Sequence, residues 1–242
     1  MRYGVFSDIH ANSEALEAVL DAFGKEGVDQ LLCVGDVVGY GANPRECCQI
    51  VASTAAVIVA GNHDWASVGL FNADYFNDDA RKAVLWTRTM LDESSRNFLE
   101  SLKLTYQNDA VTLVHGSLNN PKEFQYILDC YATEETFQLM KTDVCFIGHT
   151  HVTGVFMKYA DEHIGYNRAT SFRIESGNKY IINVGSVGQP RDGDPHAAFC
   201  IYDSATKDVS IKRVAYDAQK ARAKIIEAGL PSFLGDRLLN GR

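Results

Sequence analysis

Apolar positions in the first part of the chain follow two periods, one typical of buried strands and one typical of helices. Three short apolar runs predict strands buried on both faces, at 2–7, 30–34 and 55–59. Residues 13–26 instead place apolar side chains at helical spacing. Asn43 followed by Pro44 is typical of a helix start and predicts a second helix that ends near Ser53. This β-α-β-α-β order predicts a parallel, right-handed α/β core.

The pattern at about 64–109 predicts an insert that is mostly helical. Helices are expected at 80–91 and 94–102, and they follow an aromatic stretch at 71–76. Aromatic residues at helical spacing commonly pack in a core. The alternative is that this stretch covers a crevice and stacks on a base.

The remaining residues predict further strands and a closing helix. Apolar runs typical of strands occur at 110–114, 143–147, 153–158, 170–175, 179–184, 197–203 and 208–214. A helix is expected to begin near Thr133, and a last helix is expected between its N-cap Asp217 and Gly229. Helices outside two β layers accommodate these elements, so we predict a four-layer α/β/β/α sandwich formed by residues 1–242 as a single domain. The tail at 231–242 is expected to pack loosely.

The composition is that of an ordinary globular protein with an acidic balance. The 242 residues are 46% hydrophobic and 22% charged, with a formal net charge of −8. This balance disfavours binding to long nucleic acid or to an anionic membrane. No apolar run approaches the roughly 18 residues of a membrane helix, and the first residues predict a strand rather than a signal peptide, so we expect a cytoplasmic protein. The six cysteines form no Cys-x-x-Cys pair, which favours buried thiols over a zinc ribbon.

Five short motifs that carry carboxylate, amide and imidazole side chains follow predicted strands. They are Asp8-Ile9-His10, Gly35-Asp36, Gly61-Asn62-His63-Asp64, His115-Gly116 and Gly148-His149-Thr150-His151. The carboxyl ends of strands in an α/β sheet line one crevice, so these residues are expected to converge. Side chains two positions apart on extended backbone face the same way. Asp8 and His10 are therefore expected to act together, and so are His149 and His151.

This donor set predicts two neighbouring divalent cations. Nitrogen and oxygen donors without thiolate favour Mn, Fe, Zn, Ni or Co. Asp36 is the expected bridging ligand, because each of its carboxylate oxygens can take one ion. A single histidine or a Gly-Asp turn is commonly structural, but five such motifs in one core argue against that alternative. His163 and His196 lack this context and are expected to have no catalytic role.

Together the five motifs resemble those of the calcineurin-like metallophosphoesterase superfamily, whose pattern is DxH, GDxxG, GNHD, a lone histidine and GHxH. Residues 183–192 also resemble prokaryotic phosphodiesterase-like members. The resemblance implies the four-layer sandwich, two divalent transition-metal ions and a small phosphoester substrate. It implies that one ion is held by Asp8, His10, Asp36 and His151, and the other by Asp36, Asn62, His115 and His149.

The resemblance also implies a mechanism. The two cations clamp a phosphoryl group and lower the pKa of a bridging water toward about 7, which supplies a hydroxide nucleophile. His63 is left as a non-ligand that faces the leaving group and gives it a proton. Asp64 is expected to orient His63 because it is the next residue.

One stretch departs from the protein serine/threonine phosphatases of this superfamily. Those enzymes carry an aspartate and an arginine where this chain has Gly39 and Tyr40. The third motif also ends in Asp64 rather than in glutamate. A protein phosphatase is therefore disfavoured, and a small phosphodiester or nucleotide-like substrate is favoured.

The absent family arginine leaves the phosphate-binding residues to be identified. Arg45 and Arg191 are the candidate cations, and Tyr40, Asn43 and Gln189 are expected at the same rim. Three other functions stay open as alternatives: a small-molecule phosphomonoesterase, a nuclease, and a catalytically silent scaffold that binds proteins. The intact ligand set argues against the scaffold, and the acidic charge argues against a nuclease of long duplexes. The oligomeric state is not determined by the sequence.

Overall fold

The computed structural model describes all residues from 1 to 242, and its twelve strands form two six-stranded sheets. The strands are Arg2–Phe6 (β1), Gln30–Cys33 (β2), Val57–Ile58 (β3), Thr105–Gln107 (β4), Thr112–Val114 (β5), Val144–Ile147 (β6), Gly154–Lys158 (β7), Ile164–Asn167 (β8), Ser171–Arg173 (β9), Lys179–Asn183 (β10), Ala197–Asp203 (β11) and Asp208–Val214 (β12). The first sheet has the order β3-β2-β1-β11-β12-β9, and the second has the order β4-β5-β6-β10-β7-β8.

Both sheets are mixed, and each contains three neighbouring parallel strands. These are β1, β2 and β3 in the first sheet and β5, β6 and β10 in the second. All the other strand pairs are antiparallel. The parallel strands are the ones that lead into the five motifs, so their carboxyl ends define the site.

Eight α-helices flank the sheets. They are Ser13–Glu26 (α1), Pro44–Thr54 (α2), Asn62–Val68 (α3), Asp78–Met90 (α4), Glu93–Ser101 (α5), Glu134–Leu139 (α6), Ala218–Glu227 (α7) and Ser232–Asp236 (α8). The predicted start of the closing helix is confirmed, because the Asp217 carboxylate accepts a hydrogen bond from the Lys220 N–H.

Three apolar cores hold the layers together. Between the sheets, Val5 and Leu32 belong to the same buried cluster as Phe146 and Ile182. A second core joins α1, α2 and α5 to the outer face of the first sheet. A third joins α6 and the preceding loop to the outer face of the second sheet, where Phe137 is fully buried. The predicted α/β/β/α sandwich is therefore confirmed, with a thin helical layer on the second sheet.

The sheet edges differ from the prediction. β4 and β8 were absent from the predicted elements, and both are edge strands whose residues are half-buried or exposed. An edge strand with little buried surface carries no continuous apolar run, so its sequence gives a weak signal. The run predicted at 55–59 forms only the short β3, and the predicted 170–175 shortens to β9.

The expectation that residues 231–242 pack loosely is wrong. Leu234 and Leu238 are 1% and 2% exposed, and they share a buried cluster with Tyr40 and Ile225. Leu234 and Leu238 are four residues apart, but the segment is too short for its sequence to show a clear amphipathic pattern. No helix of the structure combines the length and the apolar character that crossing a membrane requires.

Candidate metal centre

Seven side chains of the five motifs meet at the carboxyl ends of the parallel strands. All are buried, with exposed fractions between 0% and 7%: Asp8, His10, Asp36, Asn62, His115, His149 and His151. The ligand atoms of Asp8, His10 and His151 lie within 4.8 Å of one another, and so do those of Asp36, His115 and His149. Two metal-sized clusters therefore lie side by side, and a third such group, formed by His10, Asp36 and His63, overlaps both.

Asp36 lies between the two clusters. Its Oδ2 is 3.2 Å from His115 Nε2 and 3.6 Å from His10 Nε2. Asp8 Oδ1 lies 3.2 Å from His151 Nε2 and 3.9 Å from His115 Nε2. A carboxylate in the position of Asp36 can contact an ion on each side.

Five of these residues adopt left-handed backbone conformations, with φ between 50° and 67°: Asp8, His10, Asp36, His149 and His151. The expectation that extended backbone aligns each pair is therefore wrong. Each such residue costs about 1–3 kcal/mol unless its surroundings hold it. Here neighbouring loops hold it, since the Asp8 N–H donates to the Gly35 carbonyl at 2.9 Å and the His10 N–H donates to the Asp36 carbonyl at 3.0 Å.

Two glycines let the loops approach the carboxylates. A Cβ on Gly61 would lie 2.0 Å from Asp36 Oδ1, and a Cβ on Gly148 would lie 2.3 Å from Asp8 Oδ2. No side chain of any size fits at these distances. The glycines of the motifs therefore supply space for the ligands.

Gly61→Ala is expected to displace the Asp36 carboxylate and to lower both bound metal and thermal stability. Overpacking of this kind costs typically about 1–3 kcal/mol. Metal content by elemental analysis and the melting temperature test this. Gly24→Ala is the matched control, because nothing lies within 4 Å of its added Cβ in α1 and a helical Gly→Ala change is normally stabilising. A Gly61→Ala protein with full metal content would contradict the assignment.

Backbone carbonyls fix the histidine tautomers. The Nδ1 atoms of three histidines lie within hydrogen-bond distance of carbonyls: His10 of Val38 at 3.2 Å, His115 of Val34 at 2.7 Å, and His151 of Gln189 at 2.6 Å. An Nδ1–H that donates outward leaves the Nε2 lone pair pointing inward, as in metal-bound histidines. His10 Nε2 and His151 Nε2 then face each other at 3.0 Å. Two facing acceptors need a cation beside them.

Three buried polar atoms at the centre make no well-oriented hydrogen bond, although the first and the last lie 3.2 Å apart: Asp36 Oδ2, Asn62 Oδ1 and His115 Nε2. Such atoms are rare in proteins and call for an explanation. They belong to one contiguous group of oxygen and nitrogen donors, which is the type of set that divalent transition metals bind. The residues therefore fit bound metal.

The charges of the buried side chains at the centre also favour a bound cation. Burial by itself favours neutral side chains, yet attraction from His115 and His63 holds the pKa of Asp36 below its usual value. Burial also disfavours a charged His115, but the carboxylates of Asp36 and Asp8 raise its pKa to about 10. The buried carboxylates of Asp8 and Asp36 therefore favour a positive charge beside them.

His63 lies beside the ligands, at the wall of a cavity of about 550 Å³. Its ring centroid is 4.4 Å from that of Tyr40, 4.7 Å from that of Phe76 and 4.8 Å from that of His10. Its Nδ1 is buried without a hydrogen-bond partner. A Cβ on Gly39 would lie 2.4 Å from this Nδ1, so the chain has no room for a larger residue there.

Asp64 does not contact His63 through its carboxylate, so the expected orienting role is wrong. Its Oδ1 accepts from the Val38 N–H at 3.1 Å, and its Oδ2 accepts from the Gly61 N–H at 3.0 Å. Burial, assisted by repulsion from Asp36, raises its pKa to about 7. The Asp64 carboxylate therefore connects the loop after β2, at Val38, to the start of α3, at Gly61.

A cavity of about 550 Å³ opens onto the centre. Its wall includes Asn62, His63 and His149, together with Tyr40 and Arg191. The Arg191 guanidinium carbon lies 5.4 Å from the Tyr40 ring centroid. Arg191 is the only lysine or arginine in the wall, so it is the one cation that the structure brings to the cavity.

Two other candidate substrate residues lie elsewhere. Arg45 is exposed on α2, and both it and Asn43 border a separate depression. The Asn43 amide donates to Glu46 Oε2 and accepts from Lys224 Nζ. Gln189 is buried behind the wall, where its Oε1 accepts from Arg191 Nη2 at 2.7 Å. The structure therefore separates Arg45 and Asn43 from the centre.

Aromatic side chains form the outer wall of the cavity. Phe71, Tyr75 and Phe76 line it, and Phe71 and Phe76 also pack against buried apolar clusters, so this stretch contributes both to the core and to the cavity wall. Two further aromatic residues, Phe124 and Tyr126, were not among the candidates. The Tyr126 ring stacks on the His149 ring with centroids 3.7 Å apart. Phe124 and Tyr126 lie on a loop whose sequence has no regular periodicity, so only their residue type could have identified them as candidates.

Comparison with known proteins agrees with this geometry. A family model described as the calcineurin-like phosphoesterase superfamily domain matches residues 1–207. An uncharacterized protein from Methanocaldococcus jannaschii is 37% identical over 242 residues, 98% of this chain and 97% of its own. The crystal structure of a metallophosphoesterase from Sphaerobacter thermophilus shares 39% identity, with a TM-score of 0.88 and coverage of 100% of this chain and 99% of the other.

A hypothetical protein from Pyrococcus horikoshii OT3 has the same fold at 18% identity, with a TM-score of 0.78 and coverage of 100% of this chain and 98% of the other. The family match covers most of the chain and all five motifs. The chain belongs to the calcineurin-like phosphoesterase superfamily.

Proposed function

We propose that this protein is a dinuclear-metal phosphoesterase that hydrolyses a small phosphodiester. The observation that carries the proposal is the position of the unpartnered donor atoms. One of them, on Asn62, lines a cavity whose wall also holds His149, the histidine His63 and a single arginine, Arg191, while Asp36 and His115 lie behind that wall in the same donor group. Phosphoester hydrolysis needs metal-ligand atoms, a histidine that faces the leaving group and a cation that binds phosphate, all at one cavity.

The two ions are assigned to two sets of residues that share Asp36. One set is Asp8, His10, Asp36 and His151, and the other is Asp36, Asn62, His115 and His149. When bound, divalent ions of this kind polarise a phosphoryl oxygen and supply a nucleophile from water at neutral pH.

The side chains around the centre have their own tasks. His63 donates a hydrogen bond or a proton to the oxygen of the leaving group, a contribution typically worth about 10²–10⁴-fold in rate. Arg191 donates hydrogen bonds to a non-bridging phosphoryl oxygen. The aromatic wall, with Phe76 against the His63 ring, excludes water from the leaving group.

The cavity favours a diester over a monoester. A monoester dianion calls for more positive charge than a diester monoanion, whereas this wall offers one arginine and also contains Glu123. A diester brings a second substituent, and half of the fourteen wall residues are hydrophobic. Both features match a monoanion that carries an apolar or aromatic group. A phosphomonoesterase is the second candidate, and a silent scaffold is disfavoured because no ligand is replaced.

Metal-stripped protein reconstituted singly with Mn, Ni, Fe or Zn tests the proposal. Hydrolysis of bis(4-nitrophenyl) phosphate is compared with that of 4-nitrophenyl phosphate, which has the same leaving group. We expect metal-dependent turnover with a higher kcat/KM for the diester. A higher kcat/KM for the monoester would replace the proposal by a phosphatase, and inactivity with both ions bound would support the scaffold.

Arg191→Ala is expected to raise KM for the diester about 10- to 100-fold with a smaller change in kcat, because it removes a charge-assisted hydrogen bond to substrate. Steady-state kinetics with equal metal content measure this effect. Arg45→Ala is the matched control and should leave both constants unchanged, since Arg45 lies outside the cavity. The reverse pattern would assign phosphate binding to Arg45.

A further inference from the structure

The last twelve residues, 231–242, lie beyond the part of the chain that matches the family, yet they pack against the cavity wall. Leu234 in α8 and Leu238 in the following 3₁₀ turn are buried in one cluster with Tyr40. Tyr40 lines the cavity and lies under the Arg191 guanidinium. One end of this C-terminal segment therefore supports the ring on which Arg191 rests.

The other end of the C-terminal segment is attached to the loop that follows Arg191. The Gly193 N–H donates to the Gly241 carbonyl at 2.9 Å. Gly241 has φ +62°, and a Cβ there would lie 2.6 Å from the carbonyl carbon of Asp194. This close approach allows only glycine, so Gly241 fixes the distance between the C-terminal segment and the Arg191 loop.

Arg191 has few other restraints. Its Nη2 donates to Gln189 Oε1 at 2.7 Å, its Nε is buried without a partner, and no carboxylate forms an ion pair with it. A long side chain of this kind loses rotamer freedom when it binds phosphate. Supports that restrict it beforehand improve binding. The ring of Tyr40 and the loop at Gly193 are such supports.

We propose that the C-terminal segment positions Arg191 for the phosphoryl group, with Leu238 supporting Tyr40 and Gly241 fixing the loop. This inference rests on the proposed function of Arg191. It makes residues beyond position 207, where the family match ends, a support of the substrate site. Leu238 and Gly241 are positioning residues, because neither of them lines the cavity.

A double-mutant cycle tests whether the segment acts through Arg191. The probe is inorganic phosphate, titrated calorimetrically into the manganese-loaded full chain, together with KM and kcat for bis(4-nitrophenyl) phosphate. Leu238→Ala is expected to weaken phosphate binding and raise KM about tenfold, with a smaller change in kcat. In the Arg191→Ala background the same change should have less than about a twofold effect. Ile226→Ala, an exposed apolar truncation on α7, is the control.

A second variant guards against a folding defect in Leu238→Ala. Gly241→Ala perturbs the attachment of the segment at Gly193 and Asp194, and it should show the same dependence on Arg191.

Equal effects in both backgrounds, or no effect of either Leu238→Ala or Gly241→Ala on phosphate binding, would overturn the inference. Loss of metal in Leu238→Ala and Gly241→Ala, with no dependence on Arg191, would likewise show a merely structural role. Ester hydrolysis is measured separately from phosphate binding. If the wild-type protein binds phosphate through Arg191 but hydrolyses no ester, the proposed function fails while the positioning role stands.

Discussion

Asp36→Asn is expected to lower bound metal from two ions per chain to at most one and to reduce turnover at least about 10³-fold. The amide keeps the shape of the side chain, so its Oδ1 still accepts from the His63 N–H, which lies at 2.9 Å in the wild type. The change removes the charge that faces His115 and His10. Loss of the shared ligand removes several kcal/mol of charge stabilisation in the transition state, and each 1.36 kcal/mol is tenfold in rate.

Elemental analysis of the purified variant and hydrolysis of bis(4-nitrophenyl) phosphate measure the two effects of Asp36→Asn. Asp208→Asn is the matched control, because that carboxylate pairs with Arg173 on the surface, far from the motifs. The control should keep full metal content and activity. An Asp36→Asn protein with two tightly bound ions and wild-type turnover would remove Asp36 from the shared position.

His63→Ala is expected to keep both ions and to lose about 10²–10⁴-fold in kcat, because His63 is assigned to the leaving group and not to a metal. The loss should be smaller with a leaving group of lower pKa, since such a group needs less protonation. Esters of phenols with different pKa values measure this dependence. The His63 side chain is also close enough to His10 and Asp36 to reach a metal, so metal content must be measured in parallel.

His163→Ala is the control for His63→Ala, because His163 is exposed at the start of β8 and away from the cavity. It should leave metal content and turnover unchanged. Loss of an ion in His63→Ala would make His63 a ligand. Equal rate losses for all leaving groups would also contradict the proton-donor role.

The convergence of the ligands could be predicted from sequence because it depends on topology. Asp8, Asp36 and His115 each follow an apolar run, and parallel strands of an α/β core bring their carboxyl ends to one edge. The types of side chain at this edge then limit which ligands it can bind. The four-layer fold and the superfamily were accessible for the same reason.

The local geometry of the ligands could not be predicted. His10 and His149 have left-handed backbone conformations that depend on hydrogen bonds between loops distant in sequence. Asp64 was assigned to His63 by adjacency, whereas its carboxylate contacts the N–H groups of Gly61 and Val38. Neighbours in sequence are poor evidence of contact inside turns.

The residues that line the cavity could not be predicted from the sequence either. Arg45 and Arg191 carry the same charge, and only the packing of α2 and of the loop after β10 separates the exposed one from the one in the cavity. Tyr126 lies in an irregular loop, and its stack on His149 depends on the course of that loop. The burial of Leu238 depends in part on Tyr40, which lies far away in sequence.

Titration of metal-stripped protein with Mn²⁺ tests the central claim most directly. Turnover of bis(4-nitrophenyl) phosphate is recorded as the ratio of ions to chains increases. We expect turnover to depend on added metal, to rise until two ions are bound per chain, and to return to background with a chelator. Saturation at one ion per chain would contradict the dinuclear centre, and turnover in stripped protein would contradict metal-dependent hydrolysis altogether.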